Sequence, residues 1–188
     1  GSAYLYQRQA DGSWSEITKL TASDGTTGDQ FGCSVAISDD TALVGAWGDN
    51  EQTGSAYLFE RQADASWSET AKLVGVENGF GGNFGWSVDV FGDTALVGAP
   101  GLFSGGTTFL YEREVDGTWS ETAILTVSNG DRDLFGHSVS IDGDTALVGA
   151  PGDDDNGSLS GSAYLYQRQA DGSWNEITKL TASDGAAL

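Results

Sequence analysis

Acidic side chains are the residues of this chain whose type and spacing could do chemistry. The densest group stands in a glycine-bearing segment and consists of Asp153, Asp154, Asp155 and Asn156. Two smaller pairs precede Phe-Gly dipeptides: Asp24 with Asp29, and Asp131 with Asp133. Carboxylate and amide oxygens are the ligands that Ca²⁺ prefers. Weak Ca²⁺ binding at Asp153 to Asp155 is one interpretation, and solvated turn residues, which are common in so acidic a chain, are the other.

Nucleophilic catalysis has few candidate side chains. Cys33 is the single cysteine, so it forms no intrachain disulfide, and His137 is the single histidine. Both occupy the same position of an internal repeat, where another copy has Trp86, and such variation predicts a packing or rim residue. We find no phosphate-binding glycine loop and no HExxH motif. Carboxylate pairs leave a glycosidase-like site as a third possibility, but Asp recurs at predicted turns, so we expect the chain not to be an enzyme.

An internal repeat must position all these side chains. Residues 1–25 return at residues 161–185 with one change, Ser15 to Asn175. Looser copies lie between them, and their register is fixed by a Phe-Gly dipeptide at Phe31, Phe84 and Phe135, by the sequence TALVGA, and by a recurring Trp. The Phe anchors are 53 residues (31 to 84) and 51 residues (84 to 135) apart. A period of about 50 residues is typical of a four-stranded propeller blade.

Each repeat contains four strand-like segments separated by Gly, Asp, Asn and Ser. In the last repeat they span residues 137–141, 145–150, 162–169 and 174–182. The second segment is almost wholly apolar, as in a strand buried on both faces, and no segment keeps a helical period. The sequence therefore predicts an all-β protein, a β-propeller of four-stranded antiparallel blades with about three and a half blades. These are an outer half-blade (1–30) and blades at 31–83, 84–134 and 135–188.

The anchors resemble the FG-GAP repeat, which is named for its Phe-Gly and Gly-Ala-Pro signatures. The matching segments are FGCSVAISDDTALVGAWGD, FGWSVDVFGDTALVGAPG and FGHSVSIDGDTALVGAPGD, with Trp47 in place of the Pro in the first. The resemblance implies the propeller of integrin α-subunit heads and a non-catalytic role in extracellular recognition or adhesion. Many members of the family carry an Asp-x-Asp-x-Asp-Gly calcium loop between the first two strands. The links here, such as Asp142-Gly143-Asp144, are too short to wrap that cation.

The motif residues have predicted structural roles. The Gly of each TALVGA segment should allow close backbone approach, and the Ala that follows should fill a small gap. The Pro should stiffen the exit from the strand, and the Phe should wedge between neighbouring blades. The residues given structural roles are Phe31, Gly32, Phe84, Gly85, Phe135, Gly136, Gly98, Ala99, Pro100, Gly149, Ala150 and Pro151.

The loops after the second strands differ most between repeats, and we expect a protein or glycan ligand to bind there. The candidate ligand-binding residues are Trp47, Asp49, Leu102 and Phe103. Packing beneath the loops is the alternative for the three apolar side chains. The formal charge of −20, from 28 acidic and 8 basic residues, argues against nucleic acid and anionic membrane surfaces, which bind basic footprints. No segment has the length of a membrane span. The acidic charge and the family resemblance together lead us to expect an extracellular or cell-surface protein.

Closure of the propeller is a separate question. One outer hairpin and three blades are too few for a ring, and an exposed blade face of roughly 500 Å² would forgo about 12 kcal/mol. We therefore expect two or more chains to associate, or the 188 residues to belong to a longer array. Residues 1–25 are equivalent to residues 161–185, which suits them to pairing with residues 137–150 of a neighbour. The alternative function is a structural subunit of an extracellular filament or surface assembly.

Overall fold

The computed structural model describes residues 1–75, 82–101, 105–127 and 133–183. Within these ranges, fourteen β-strands form one two-stranded and three four-stranded antiparallel sheets. The half-blade consists of β1 (Ala3–Arg8) and β2 (Trp14–Leu20). Each four-stranded sheet is one blade, with its strands in sequence order. The prediction of an all-β protein built from propeller blades is confirmed.

The blades have nearly equal strands. Blade 1 contains β3 (Val35–Ser38), β4 (Thr41–Ala46), β5 (Ser55–Arg61) and β6 (Trp67–Leu73). Blade 2 contains β7 (Ser87–Phe91), β8 (Thr94–Ala99), β9 (Thr107–Arg113) and β10 (Trp119–Leu125). Blade 3 contains β11 (Ser138–Asp142), β12 (Thr145–Ala150), β13 (Ser162–Arg168) and β14 (Trp174–Leu180). The helical turn α1 (Asp49–Gln52) follows β4, and the described residues include no helix long and apolar enough to span a membrane.

Local turn chemistry explains why these strands pair. The first two strands of each blade are joined by a tight link with a positive φ at Asp39, Gly92 or Gly143, which suits the twist of a two-residue hairpin. The outer hairpins turn at an Asp whose carboxylate accepts hydrogen bonds from the backbone N–H and the hydroxyl of the residue two positions on. In the half-blade, the hydroxyl of Ser13 donates to Asp11 over 2.6 Å. Asp64, Asp116 and Asp171 repeat this contact.

The core lies between successive blades, because each blade has two different faces. The face toward the next blade carries leucines, in blade 1 Leu43, Leu58 and Leu73. It packs against the aromatic face of blade 2, where Phe84 makes edge-to-face contacts with Phe109 and Tyr111. Blades 2 and 3 repeat the arrangement around Phe135. Phe84 and Phe135 thus lie in the clusters between successive blades.

Glycine is required where successive blades touch through their backbones. A Cβ on Gly98 would lie 2.0 Å from the carbonyl oxygen of Gly136 in the next blade, and a Cβ on Gly45 would lie 2.0 Å from that of Gly85. Gly106 and Phe135 form a parallel β-bridge between blades 2 and 3. The expected close approach at the Gly-Ala motif is therefore present, and it occurs between blades.

Candidate functional site

One edge of the blade array carries the loops that differ between repeats. Trp47 follows the last residue of β4, and Trp86 and His137 immediately precede β7 and β11. The first two strands of a blade are antiparallel, so the end of the second strand and the start of the first lie at the same edge. The three rings therefore meet there, although they come from three different blades.

Trp47, Trp86 and His137 form a continuous aromatic row along this edge. The ring centroids of Trp47 and Trp86 are 5.5 Å apart, and those of Trp86 and His137 are 5.6 Å apart. The interplanar angles are 46° and 51°, which are tilted geometries within the favoured range for aromatic pairs. Both Trp rings are half-buried and the imidazole is exposed. The row thus presents flat apolar surface to solvent across three blades.

An open pocket of about 700 Å³ adjoins Trp47. Its other walls come from the segment before Phe31 and from α1, and they include Asp24, Gln30, Asn50 and Glu51. Asn50, Glu51 and Gln52 are consecutive non-glycine residues with φ of 48°, 57° and 72°. Left-handed backbone of this kind costs about 1 kcal/mol or more per residue and is concentrated at functional sites. The pocket therefore combines an aromatic wall with a conformationally strained loop.

Beneath the pocket, Lys72 of blade 1 forms ion pairs with two carboxylates. Its Nζ lies 2.6 Å from Asp24 and 2.6 Å from Asp49. The buried Asp49 also accepts hydrogen bonds from Ser55 and Tyr57. Burial alone would raise the pKa of Asp49, but the hydrogen bonds from Lys72 and Ser55 outweigh it and hold the pKa below its usual value. Asp49, a predicted ligand-binding residue, is thus turned inward into an ion pair.

Blade 3 contains the same arrangement around Lys179. The Nζ of Lys179 lies 2.5 Å from the buried Asp153 and 2.6 Å from Asp155, and the Tyr164 hydroxyl donates to Asp153 over 2.8 Å. Burial and the hydrogen bond to Asp153 raise the pKa of Tyr164 to about 12. Burial acts to raise the pKa of Asp153, and the bonds from Lys179 and Tyr164 lower it further than burial raises it.

These contacts bear on the predicted calcium residues. The ammonium of Lys179 contacts one carboxylate oxygen of Asp153 and one of Asp155 and supplies their counter-charge, so this donor set does not fit Ca²⁺ as it stands. Asp154 and Asn156 are exposed. Across the described ranges, no three His, Cys, Asp or Glu side chains form a metal-binding group. Burial and the charges of Asp153 and Asp154 raise the pKa of Asp133.

Of the remaining residues predicted to bind a ligand or a metal, some lie in segments that the structure describes and others do not. Trp47 lies in the aromatic row, whereas Leu102, Phe103 and Asp131 fall outside the described residues. Asp29 accepts hydrogen bonds from the backbone N–H and hydroxyl of Thr26, which makes it a turn-stabilising residue.

Sequence reasoning missed the lysine clusters, although a signal was present. Asp49 and Asp153 occupy one repeat position, and Lys72 and Lys179 occupy another. The remaining full repeat has Leu102 and Ile124 at those two positions. The two positions carry opposite charges in two repeats, and both are apolar in the third. This joint change indicates that the two positions are in contact. The position of Trp86 was predicted to hold a packing or rim residue, but nothing in the sequence indicates that its ring stacks on Trp47, which lies at a different repeat position.

Replacing Lys72 with Ile is expected to lower the free energy of unfolding by about 3 kcal/mol, because the buried Asp49 carboxylate loses its counter-charge. The double variant Asp49→Leu/Lys72→Ile, which copies the repeat of blade 2, should recover most of the loss. Urea unfolding at neutral pH measures both. A single variant as stable as the wild type would contradict the assignment.

Acid titration provides a second readout of the same cluster. The pKa values of Asp24 and Asp49 are depressed in the folded protein. The stability that their charged forms contribute is therefore complete above the unfolded-state pKa of about 4, and it is lost as the pH falls through the folded-state pKa. The double variant should therefore lose less stability below about pH 4 than the wild type.

Comparison with known proteins agrees with this geometry. No curated protein matches the sequence. The crystal structure of Sqt1 from Chaetomium thermophilum is similar with a TM-score of 0.54 and 12% identity, over 84% of this chain and 38% of that chain. The chain thus spans less than half of that protein, and the likeness concerns the fold alone. The sequence profile of the FG-GAP repeat matches residues 14–59, 67–108 and 119–166. Each match begins at the last strand of the half-blade or of a blade and extends into the third strand of the next blade. Because the three matches together cover more than half of the sequence, the chain belongs to the FG-GAP repeat family.

Proposed function

We propose that this chain is a non-catalytic extracellular recognition module that binds its ligand at the aromatic row and the adjoining pocket. The observation that carries the proposal is the stacking of Trp47, Trp86 and His137 across three blades at the edge of variable loops. FG-GAP repeats are typical of extracellular and surface proteins, which supports the location. A rigid array of blades holds the rings in place before binding, which reduces the entropy cost of association.

The chemistry of the edge favours a neutral or basic ligand. Half-buried indole rings offer flat apolar surface with a polar N–H, a combination found at binding sites. The pocket beside Trp47 adds Asn50, Gln52 and the carboxylate of Glu51. With a formal charge of −20, long-range repulsion disfavours anionic ligands. Neutral glycans and uncharged or basic protein surfaces fit these conditions.

The arrangement of the reactive side chains supports a non-catalytic role. Cys33 belongs to blade 1 and His137 to blade 3, and the indole of Trp86 in blade 2 lies against the imidazole. The Cys33 thiol donates to the carbonyl oxygen of Gly85 over 3.2 Å. A nucleophile needs its base within hydrogen-bond reach, and a whole blade separates this pair.

Ligand binding is tested with immobilised neutral oligosaccharides and with neutral and basic proteins. We expect that a ligand found on either panel changes the Trp fluorescence and that Trp86→Ala lowers its affinity at least about tenfold, because the central ring of the row is removed. Trp14→Ala is the matched control, since Trp14 is exposed at the turn end of the half-blade. Equal affinity for the wild type and Trp86→Ala would refute the proposed site.

A further inference from the structure

An apolar groove of about 480 Å³ lies between β1 and the innermost strand of blade 1, with Leu5, Val35, Ile37 and other apolar side chains in its walls. Val35 and Ile37 are 61% and 57% exposed, whereas their counterparts in blade 2, Val88 and Val90, are buried. In blade 2 these positions are covered by the preceding blade. The groove therefore has the place and character of a site for the inner two strands of a blade.

No described strand occupies the edge of β1 that faces this groove. Its counterparts β5 and β13 are hydrogen-bonded on that side to β4 and β12. Among the described residues, β1 pairs with β2 alone. A free strand edge beside apolar surface is a template for an incoming strand.

Lys19 indicates that the incoming strand should be followed by a carboxylate. It is the counterpart of Lys72 and Lys179, and its Nζ lies 5.8 Å from the ring centroid of Tyr4, as those lysines lie over Tyr57 and Tyr164. Each of those two lysines pairs with carboxylates, one of which follows the second strand of its own blade. Lys19 has no ion pair within the part of the chain that the structure describes. The second strand of an incoming blade, if an Asp follows it, would supply the carboxylate that pairs with the lysine in blades 1 and 3.

Blade 3 carries the complementary surface. Leu147 on β12 is 38% exposed, whereas its counterparts Leu43 and Leu96 are fully buried against the next blade. Asp153 and Asp155 stand in the loop that follows β12. The hairpin β13–β14 that now pairs with β12 has the sequence of β1–β2 apart from Asn175, which corresponds to Ser15. The half-blade therefore offers β12 almost the same contacts as β13–β14.

We propose that the groove binds a second copy of this chain, with β12 of that copy alongside β1 of the first. The half-blade takes the place of the second copy's β13–β14, and Tyr4 and Tyr6, which are half-exposed in the single chain, take the buried places of Tyr164 and Tyr166. Leu147 of the second copy covers Val35 and Ile37, and its Asp153 and Asp155 meet Lys19. The half-blade replaces the contacts that β13–β14 made with β12, so these contacts are retained. The net gain in free energy comes from burying Leu147, Val35 and Ile37.

This inference is independent of ligand binding at the aromatic row, because it concerns a different surface. The substitution Gly149→Ala tests the proposed docking of the second copy. The three atoms nearest a Cβ at Gly149 all belong to Ser138, and the closest is its rotatable hydroxyl oxygen. At the two internal junctions the same glycine faces a carbonyl oxygen of the next blade at 2.0 Å. In the complex that carbonyl belongs to Gly32 of the other copy, so the substitution should spare the fold and block docking.

Sedimentation of the 188-residue chain across the micromolar range measures the association. We expect concentration-dependent dimers or longer assemblies, a dissociation constant at least about tenfold higher for Gly149→Ala, and an unchanged constant for Trp86→Ala. Circular dichroism should show the wild-type fold for Gly149→Ala. A monomer at every concentration overturns the inference and leaves the groove to strands of another polypeptide. Association that Gly149→Ala does not weaken overturns it as well.

Disulfide trapping tests the register. Leu147 pairs with Leu165 in blade 3, and the counterpart of Leu165 is Leu5. Directly opposite residues of antiparallel strands are close enough for a disulfide. In a Cys33→Ser background, we expect a chain with Leu5→Cys to form a disulfide with a separate chain carrying Leu147→Cys, but not with one carrying Val115→Cys in an outer turn of blade 2. Equal yields with both partners, or none with either, contradict the predicted pairing.

Discussion

Replacing Gly98 with alanine is expected to lower the free energy of unfolding by about 3 kcal/mol. The new Cβ would lie 2.0 Å from the carbonyl oxygen of Gly136, well inside van der Waals contact. Because that oxygen belongs to the backbone of the next blade, the clash is relieved only if blades 2 and 3 move apart. Such movement would also loosen the cluster around Phe135. Urea unfolding followed by Trp fluorescence measures the effect.

Gly149→Ala is the matched control, because it makes the same change at the same repeat position without a described blade beyond it. The three described atoms nearest its Cβ all belong to Ser138, whose hydroxyl can rotate. We expect the free energy of unfolding to change by less than about 1 kcal/mol when the chain is monomeric. Similar losses for the two variants would mean that the cost arises within a blade, and the proposed contact between blades would then be wrong.

Truncation of Phe135 to alanine is expected to cost about 3 to 5 kcal/mol. The ring is fully buried and makes edge-to-face contacts with Tyr164 and Tyr166, at centroid distances of 5.4 and 6.1 Å. These contacts lie in the cluster that joins blade 2 to blade 3. The substitution therefore leaves a cavity at a junction between sheets, where the rigid strands limit collapse.

Two further variants separate this cavity effect from a general loss of aromatic surface. Phe135→Leu retains most of the apolar volume and should cost about half as much as Phe135→Ala. Phe91→Ala removes an exposed ring at the end of β7 and should change stability by no more than about 0.5 kcal/mol. Equal losses at Phe91 and Phe135 would show that burial between blades is not the cause.

The repeated positions were predictable because each kind of strand has a local signature. The continuous apolar run TALVGA predicted a strand buried on both faces, and β4, β8 and β12 start and end where the run does. Glycine next to Asp predicted tight hairpins, and Gly92 and Gly143 have the positive φ that such turns require. Repetition strengthened each inference, since the same pattern had to satisfy the same packing three times.

The candidate site was less predictable because its residues come from different blades. Trp47 and Trp86 are far apart in sequence, and nothing local to either shows that their rings stack. Asp49 was selected for its place in a variable loop, but the direction of its side chain depends on Lys72 two strands later. A loop residue can face solvent or the core, and only the surrounding sheet determines which.

The sequence by itself determined the class of fold, the period of the repeat and the duplicated hairpin, because strand alternation and turn chemistry act over a few residues. The tertiary structure decided which charges are paired, which rings meet at one edge, and which surfaces stay open. Lys19 and Lys179 have identical neighbours in sequence, yet only Lys179 is paired with carboxylates among the described residues. The difference arises because those carboxylates are supplied by a loop that follows another strand, and pairing over such distances depends on how the sheets assemble.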